Sequence, residues 1–202
     1  MDKRDFLFRF VPLNQRSKLL MDEESLYSTT DQLTADKISR ELLKLIPATS
    51  TVTDATACVG GSAYSLSKVF ASVNAIELDK TRYEYLVNNI KLLGSENIQC
   101  IYGDALEECK NLKQDLIFLD PPWGGPEYKR QEKVSLELSN IKISEVCEKL
   151  SPYTKFIAIK APTNFDETTF NESTKNVLKM VYKNIHLRKM NLLVYEVIHH
   201  HM

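Results

Sequence analysis

The sequence predicts an α/β fold: a doubly wound, seven-stranded, mostly parallel sheet with an antiparallel last strand, preceded by a short helical extension over residues 1–46. Three observations predict it. From residue 51 onward, short β-rich runs alternate with helical stripes, the pattern of crossovers that cover both faces of a parallel sheet. The run "LIFL" (116–119) is apolar at every position, as a strand buried on both faces must be. The chain then closes on "VLKMVYKNIHL" and "NLLVYEVI", two β-rich runs joined by a short basic link, which read as an antiparallel hairpin.

Each element follows in order. "STTDQLTADKISRELLKLI" (28–46) carries apolar residues at Leu33, Ile38, Leu42, Leu45 and Ile46, close to a helical stripe. Thr29 and Gln32 are spaced as a capping box, and the helix must stop before Pro47. "TVTDATA" reads as the first strand, "SAYSLSKVF" as a helix, "SVNAIELD" as the second strand and "KTRYEYLVNNIKLLG" as a helix with a glycine stop. "NIQCIYGD" follows as a strand, then a short helix near 105–112, and "QDLIFLD" as the fourth strand. "ISEVCEKL" is helical and "KFIAIKA" is the fifth strand. The domain proper is expected to run over 47–202, as one unit without repeats or low-complexity linkers.

Composition narrows the function. With 202 residues and 43% hydrophobic content, the chain can bury the core of one α/β domain. Lys and Arg number 26 against 27 Asp and Glu, so no global polycation announces a nucleic acid, and any polyanion site must be local. Two segments qualify: residues 1–20, with Lys3, Arg4, Arg9, Arg16 and Lys18 against Asp2 and Asp5, and the acid-free stretch 179–191. Either could equally be a solvated face. The four cysteines, Cys58, Cys100, Cys109 and Cys147, form no CxxC pair, and histidine is scarce before the terminal His199–His201, which argues against a zinc site and for a reducing compartment. No signal-like segment or membrane-length apolar run is present, so the protein is expected to be soluble and intracellular, nuclear or cytoplasmic.

The chemistry sits at strand ends. In open α/β sheets, ligands bind beyond the carboxyl ends of the strands. Asp54 falls there in "DATACVGGS", Glu77 in "AIELD" and Asp104 in "YGD". Glu77 can accept both hydroxyls of a ribose, and Asp104 can accept from an adenine amino group. Asp54 can orient the loop or an amino-acid ammonium, while Gly60 and Gly61 let the backbone approach a ligand closely. Each acid alone could simply cap a helix. Together, in order and after successive strands, they point to an adenosine-bearing cofactor. The loop lacks the GxGxxG of nicotinamide binders, and S-adenosylmethionine fits better. The fold is therefore expected to be a Rossmann-like class I methyltransferase.

The stretch "DPPWGGPEY" (120–128) follows the fourth strand and is expected beside the cofactor's methyl group. Its prolines end the strand and fix the backbone. An amino group conjugated to a purine or pyrimidine is a poor nucleophile. The Asp120 carboxylate and the Pro121 carbonyl would accept from its hydrogens and hold the nitrogen in line. Trp123 offers a face for the target base, worth roughly 1 to 3 kcal/mol. A cationic, 7-methylated guanine would stack better still. A core tryptophan is the plainer alternative, but Pro122, Gly124 and Gly125 argue against it, because a buried anchor needs no such backbone.

These residues carry a family resemblance. "DPPWGGPEY", "DATACVGGS", "AIELD", "YGD" and the upstream "DEESLYSTT" (22–30) together resemble the trimethylguanosine synthases, the RNA cap guanine-N2 methyltransferases, from about residue 4 to 197. The DPPW element alone signals an amino-methyltransferase; the WGGP continuation is far more specific. The resemblance implies Trp123 on the 7-methylguanine of capped RNA, Asp120 and Pro121 at the target amino group, and Phe8, Tyr27, Ser28 and Thr30 closing over the cofactor. The set it implies on S-adenosylmethionine is Phe8, Ser28, Thr30, Asp54, Thr56, Cys58, Gly60, Glu77, Leu78, Asp104, Ala105, Asp120 and Pro122, and on the substrate Ser62, Trp123, Lys160 and Asn164. No metal is implied.

The chain departs from that family at three places. Asp120 stands where Ser is usual, Cys58 replaces the first glycine of the cofactor loop, and Pro162, Thr163 and Asn164 replace a Pro-Arg-Asn whose arginine binds cap phosphate. Phosphate contacts are then expected from Lys160, or from Lys129 and Arg130. The compact chain suggests a microbial or viral member. Two alternatives stay open: methylation of guanine-N2 or adenine-N6 on internal bases, which Asp120 favours and which would need base flipping, and a non-catalytic cap- or cofactor-binding subunit.

Overall fold

The computed structural model describes residues 2–187 and 190–198. Two expectations fall partly or wholly outside them: the basic segment 179–191 loses Arg188 and Lys189, and the terminal His199–His201 are not described. The chain divides into two compact units, Met1–Glu108 and Cys109–Met202.

The first unit opens with four helices, α1 (Arg4–Leu7), α2 (Leu13–Arg16), α3 (Glu23–Ser28) and α4 (Gln32–Leu43). Strand β1 (Thr51–Asp54), helix α5 (Gly61–Ser67), strand β2 (Ser72–Glu77), helix α6 (Lys80–Leu93), strand β3 (Ile98–Tyr102) and helix α7 (Ala105–Glu108) follow. β1 pairs in parallel with β2, and β2 with β3. The capping box placed on Thr29 and Gln32 is corrected. Asp31 caps α4, its carboxylate accepting from the Thr34 N–H at 3.2 Å, while Thr29 closes α3. α3 has a capping box of its own, in which Asp22 accepts from the Ser25 N–H and Ser25 Oγ accepts from the Asp22 N–H.

The second unit holds β4 (Leu116–Leu119), a hairpin of β5 (Glu137–Leu138) and β6 (Ile141–Lys142), helix α8 (Ile143–Leu150), β7 (Phe156–Pro162), helix α9 (Glu167–Thr174), β8 (Leu178–Leu187) and β9 (Met190–Val197). β4 and β7 are parallel; β9 runs antiparallel to both β7 and β8. The β5–β6 hairpin and α9 have no counterpart in the sequence reading. The hairpin turns through Ser139 and Asn140, both left-handed at φ 52° and 62°, as a two-residue mirror turn requires. Helix α9 is started by Asp166, whose side chain accepts from the Thr169 N–H.

The strands make up one seven-stranded sheet in the order β3-β2-β1-β4-β7-β9-β8, mostly parallel, with β9 antiparallel to its neighbours, as expected. Leu116, Ile117, Phe118 and Leu119 are each 0% exposed, so β4 is buried on both faces. Each such side chain stabilises the fold by roughly 1.5 to 3 kcal/mol. No helix among the described residues is long and apolar enough to cross a membrane.

Candidate active site

The first unit brings its three strand-end acids to defined positions. Asp54, the last residue of β1, is fully buried and accepts from the Thr56 N–H at 3.2 Å. Glu77, the last residue of β2, is 9% exposed and accepts from two backbone donors, the Cys58 N–H at 2.9 Å on Oε2 and the Asp79 N–H at 2.8 Å on Oε1. The acid is thereby held from both sides, and the loop after β1 is fixed to the end of β2. Asp104 lies two residues past β3 and accepts from the Leu106 N–H at 2.9 Å, with Ala105 buried beside it. Leu78, next to Glu77, is by contrast 56% exposed, an apolar surface facing solvent.

The loop between β1 and α5 has an unusual backbone. Cys58 adopts φ 50° and Gly60 φ 98°, both left-handed. That region suits glycine and costs an ordinary residue about 1 kcal/mol or more. The substitution read in the sequence as a cysteine in a glycine's place is thus a residue held in a glycine's conformation. Burial pushes the Cys58 thiol up to about 11, with the Glu77 carboxylate adding to the effect. Ser28 Oγ lies 3.5 Å from its sulfur, within hydrogen-bond reach.

The N-terminal segment is packed on this loop. A Cβ on Gly61 would stand 2.7 Å from Thr29 Cγ2 and 3.4 Å from the Thr30 carbonyl oxygen, so only glycine admits that approach. Phe8 is 1% exposed and lies in an apolar cluster with Leu7, Val11 and Leu19. Thr30 is buried, whereas Ser28 and Ser62 keep exposed or half-exposed surface and Tyr27 is 77% exposed with Lys3 Nζ 3.6 Å above its ring. Two polar anchors that the sequence did not reveal complete the attachment. Asn89, 0% exposed on α6, exchanges hydrogen bonds with the Leu20 backbone and donates to the Val59 carbonyl. Arg82 reaches Glu24 at 2.8 Å and Asp22 at 3.4 Å, with its Nε 3.6 Å from Glu77. The basic lead-in is largely engaged within the unit, Arg4 with Asp2 and Arg16 with Asp5.

The second unit carries the "DPPWGGPEY" ledge. Asp120 follows the last residue of β4, Pro121 is buried, Pro122 is exposed and Trp123 is half-buried. Gly124 and Gly125 are left-handed, at φ 83° and 72°, and start a 3-10 helix over Gly125–Arg130. Tyr128, from that helix, meets Trp123 edge-on with ring centroids 5.2 Å apart. The Trp123 indole N–H is buried and has no hydrogen-bond partner among the described residues. Trp123 is therefore a ring braced on one edge and partly open, not a fully buried core residue.

Lys160 and Asn164, both expected on the substrate, are occupied with the ledge. Lys160, on β7, is 5% exposed, and its Nζ lies 2.7 Å from Asp120 Oδ2 and 5.0 Å over the Trp123 ring. The register explains the pairing: Ile159 sits opposite Leu119, so the next residues of two parallel strands are Lys160 and Asp120. Asn164 Nδ2 donates to the carbonyls of Tyr128 and Gln131, both at 2.8 Å, and clamps the 3-10 helix. The Asn164 carbonyl accepts from the Val134 N–H at 2.8 Å. Lys129 and Arg130 remain exposed, with Arg130 paired to Glu127 at 3.1 Å. No group of three or more His, Cys, Asp or Glu side chains suited to a metal ion occurs among the described residues.

Comparison with known proteins places this arrangement. The family model for RNA cap guanine-N2 methyltransferases matches residues 49–197. An uncharacterised protein of Acanthamoeba polyphaga mimivirus is 34% identical over 197 residues, covering 83% of this chain and 77% of its own. The trimethylguanosine synthase of Schizosaccharomyces pombe is 30% identical over 157 residues (72% of this chain, 64% of its own) and that of Saccharomyces cerevisiae 23% over 192 residues (87% and 61%). The chain thus spans less than two thirds of either synthase's length. In fold it is similar to a Porphyromonas gingivalis W83 protein assigned as a methyltransferase, with a TM-score of 0.70 at 18% identity over 96% of this chain and 48% of that one. A tRNA m1G37 methyltransferase of M. jannaschii aligns at 0.56 and 17% identity, covering 80% of this chain and 48% of its own. On the match over residues 49–197, the chain belongs to the RNA cap guanine-N2 methyltransferase family.

Proposed function

We propose that the protein methylates the exocyclic N2 amino group of a 7-methylguanosine RNA cap, using S-adenosylmethionine. The observation that carries the reading is the ledge: an acid, two prolines and a half-buried tryptophan directly after β4, in a chain of this family.

The first unit's residues fit the cofactor. A carboxylate offers about four acceptor sites on its two oxygens. The two backbone N–H bonds to Glu77 leave capacity for ribose hydroxyls while fixing where the oxygens point. Asp104 would serve the adenine amino group, and the glycine loop with Thr56, Cys58 and Gly60 would line the remainder. Thr30, Ser28 and Phe8 support the same reading from the N-terminal segment, which we propose acts with residues 47–202 rather than as a separate module. When bound, S-adenosylmethionine supplies an electrophilic methyl group.

The second unit's residues act on the acceptor. Asp120 and the Pro121 carbonyl accept from the amino hydrogens, which holds the nitrogen and favours the form whose lone pair is free to attack. No strong base is needed, because the proton becomes acidic once the nitrogen has been alkylated. Trp123 stacks on the base, and Tyr128 keeps its ring from turning. Lys129 and Arg130 are exposed cations beside the ledge that could meet a phosphate bridge, Arg130 by exchanging its Glu127 partner.

The test is methyl transfer to 7-methylguanosine diphosphate and to guanosine diphosphate, with product mass as readout. Transfer to the 7-methylated compound alone is expected, and the mass gives the number of methyl groups. Transfer to neither, with transfer to internal bases of a long RNA, would replace this reading by the second one, which Asp120 favours.

A further inference from the structure

Lys160 is a cation placed where a substrate of this class would bring a second one. Its side chain is 6% exposed, its Nζ is 2.7 Å from Asp120 Oδ2, and the same Nζ lies 5.0 Å from the Trp123 centroid. Two physical consequences follow. The Asp120 charge is matched by an equal and opposite one, so the Asp120–Lys160 pair is neutral. The indole's negative face also has a cation already beside it, which diminishes its attraction for another.

We propose that Lys160 sets the charge of the ledge and thereby its selectivity between cationic and neutral bases. The inference rests on the cap reading and deepens it. A 7-methylguanine ring is positively charged, whereas guanine is neutral. A lone Asp120 would attract the first and ignore the second, and a lone Lys160 would repel the first. The pair lets the acid act as a hydrogen-bond acceptor without making the pocket a general cation trap. Selectivity for the 7-methylated base then comes from stacking on Trp123, tempered by the lysine. Register brings the two charges together across β4 and β7, so neither can leave the other without uncovering a largely buried charge.

A charge ladder tests this. Wild type, Lys160→Met, Asp120→Asn and the double variant Asp120→Asn/Lys160→Met carry charges of zero, minus one, plus one and zero at this pair. The affinity ratio of 7-methylguanosine diphosphate to guanosine diphosphate is measured for each. Both ligands share the diphosphate and the amino group, so the ratio cancels those contacts and any uniform loss of folded protein. The ratio is expected to rise about three- to tenfold in Lys160→Met, to fall by a similar factor in Asp120→Asn, and to return to within about twofold of wild type in the double variant. The double variant also keeps the test alive if one single variant fails to fold. A ratio unchanged across the set overturns the proposal.

The chain has one tryptophan, so its fluorescence reports the ledge directly. In the absence of nucleotide, quenching by caesium relative to iodide is expected to follow the same order, strongest in Lys160→Met. Quenching that ignores ledge charge overturns the proposal. If quenching follows the charge but none of the four proteins binds either nucleotide, the charge-setting role of Lys160 stands and the cap reading falls.

Discussion

The backbone N–H of Cys58 donates to Glu77 Oε2 at 2.9 Å, which couples the glycine loop after β1 to the acid that ends β2. The carboxylate proposed to bind a ribose is thus also the strut of the loop that would pass beneath the cofactor. Ligand affinity and loop geometry share one side chain.

Glu77→Ala should therefore weaken cofactor binding more than the loss of two ribose contacts would suggest. It removes the acceptor of two backbone donors, at about 1 to 3 kcal/mol for each donor left buried. A tenfold or larger loss of S-adenosylhomocysteine affinity by calorimetry, together with a lower Tm, is expected. Glu77→Gln keeps one acceptor oxygen and should lie between. An alanine variant with weaker binding and an unchanged Tm would show that the strut is unimportant.

Cys58 gives a pH prediction. Its thiol is held up at about 11, chiefly by burial, against an ordinary value near 9. The neutral thiol is the form that the fold favours. Stability tied to it is fully present below the unfolded value and is lost as pH rises through the folded one, so the window is about pH 9 to 11. Reaction with a disulfide reagent should stay slow at pH 8 and accelerate only toward that upper value, whereas unfolded chain reacts readily at pH 9. Rapid labelling of the folded protein at pH 8 would contradict the burial.

The same residue gives a backbone prediction. At φ 50°, Cys58→Gly relieves left-handed strain but loosens the unfolded chain, two effects of about 1 kcal/mol that oppose each other. Its net effect on stability should be small. Cys58→Val places a β-branched residue in a region it avoids and should cost at least about 2 kcal/mol more. Equal Tm values for the glycine and valine variants would refute the strain.

Trp123→Ala should abolish most acceptor binding, by tenfold or more given roughly 1 to 3 kcal/mol for a base stacked on an aromatic ring. Because Trp123 is half-buried and braced by Tyr128 rather than enclosed, stability and S-adenosylhomocysteine affinity should change little. Trp123→Phe should recover much of the binding. Parallel loss of both ligands would mean that the ring is structural.

The succession of strands, the strand ends and the ledge were legible because they are written in local pattern. "LIFL" announces a doubly buried strand, and Asp54, Glu77 and Asp104 mark where apolar runs stop. What escaped depends on register or on irregular backbone. Lys160 meets Asp120 across 40 residues because β4 and β7 align Leu119 with Ile159, and no periodicity encodes that alignment. Asn164 bonds to the carbonyls of Tyr128, in a 3-10 helix that opens on two left-handed glycines, and of Gln131 just past it. Strands β5 and β6, of two residues each, are too short for alternation to show. The helix α4 cap was misplaced because Thr29 and Gln32 have the spacing of a capping box, whereas Thr29 closes α3 and Asp31 caps α4.

Asn164 supplies the last prediction. It stands in the turn after β7, and its two 2.8 Å bonds to Tyr128 and Gln131 hold both the middle and the end of the segment that braces Trp123. Asn164→Ala would leave two carbonyls without their donor and let Tyr128 move off the indole edge. The glycine loop after β1 belongs to other elements and keeps its own anchors, Glu77 and Asn89. The expected result is a several-fold rise in KM for the acceptor, kcat reduced less than KM is raised, and S-adenosylhomocysteine affinity unchanged, with a stability cost of about 1 to 2 kcal/mol. Asn164→Asp keeps the size but offers no donor, so it should behave like alanine. If aspartate restored wild-type KM, the side chain would be filling space rather than donating hydrogen bonds, and the clamp would have to be sought in the Val134 to Asn164 backbone bond instead.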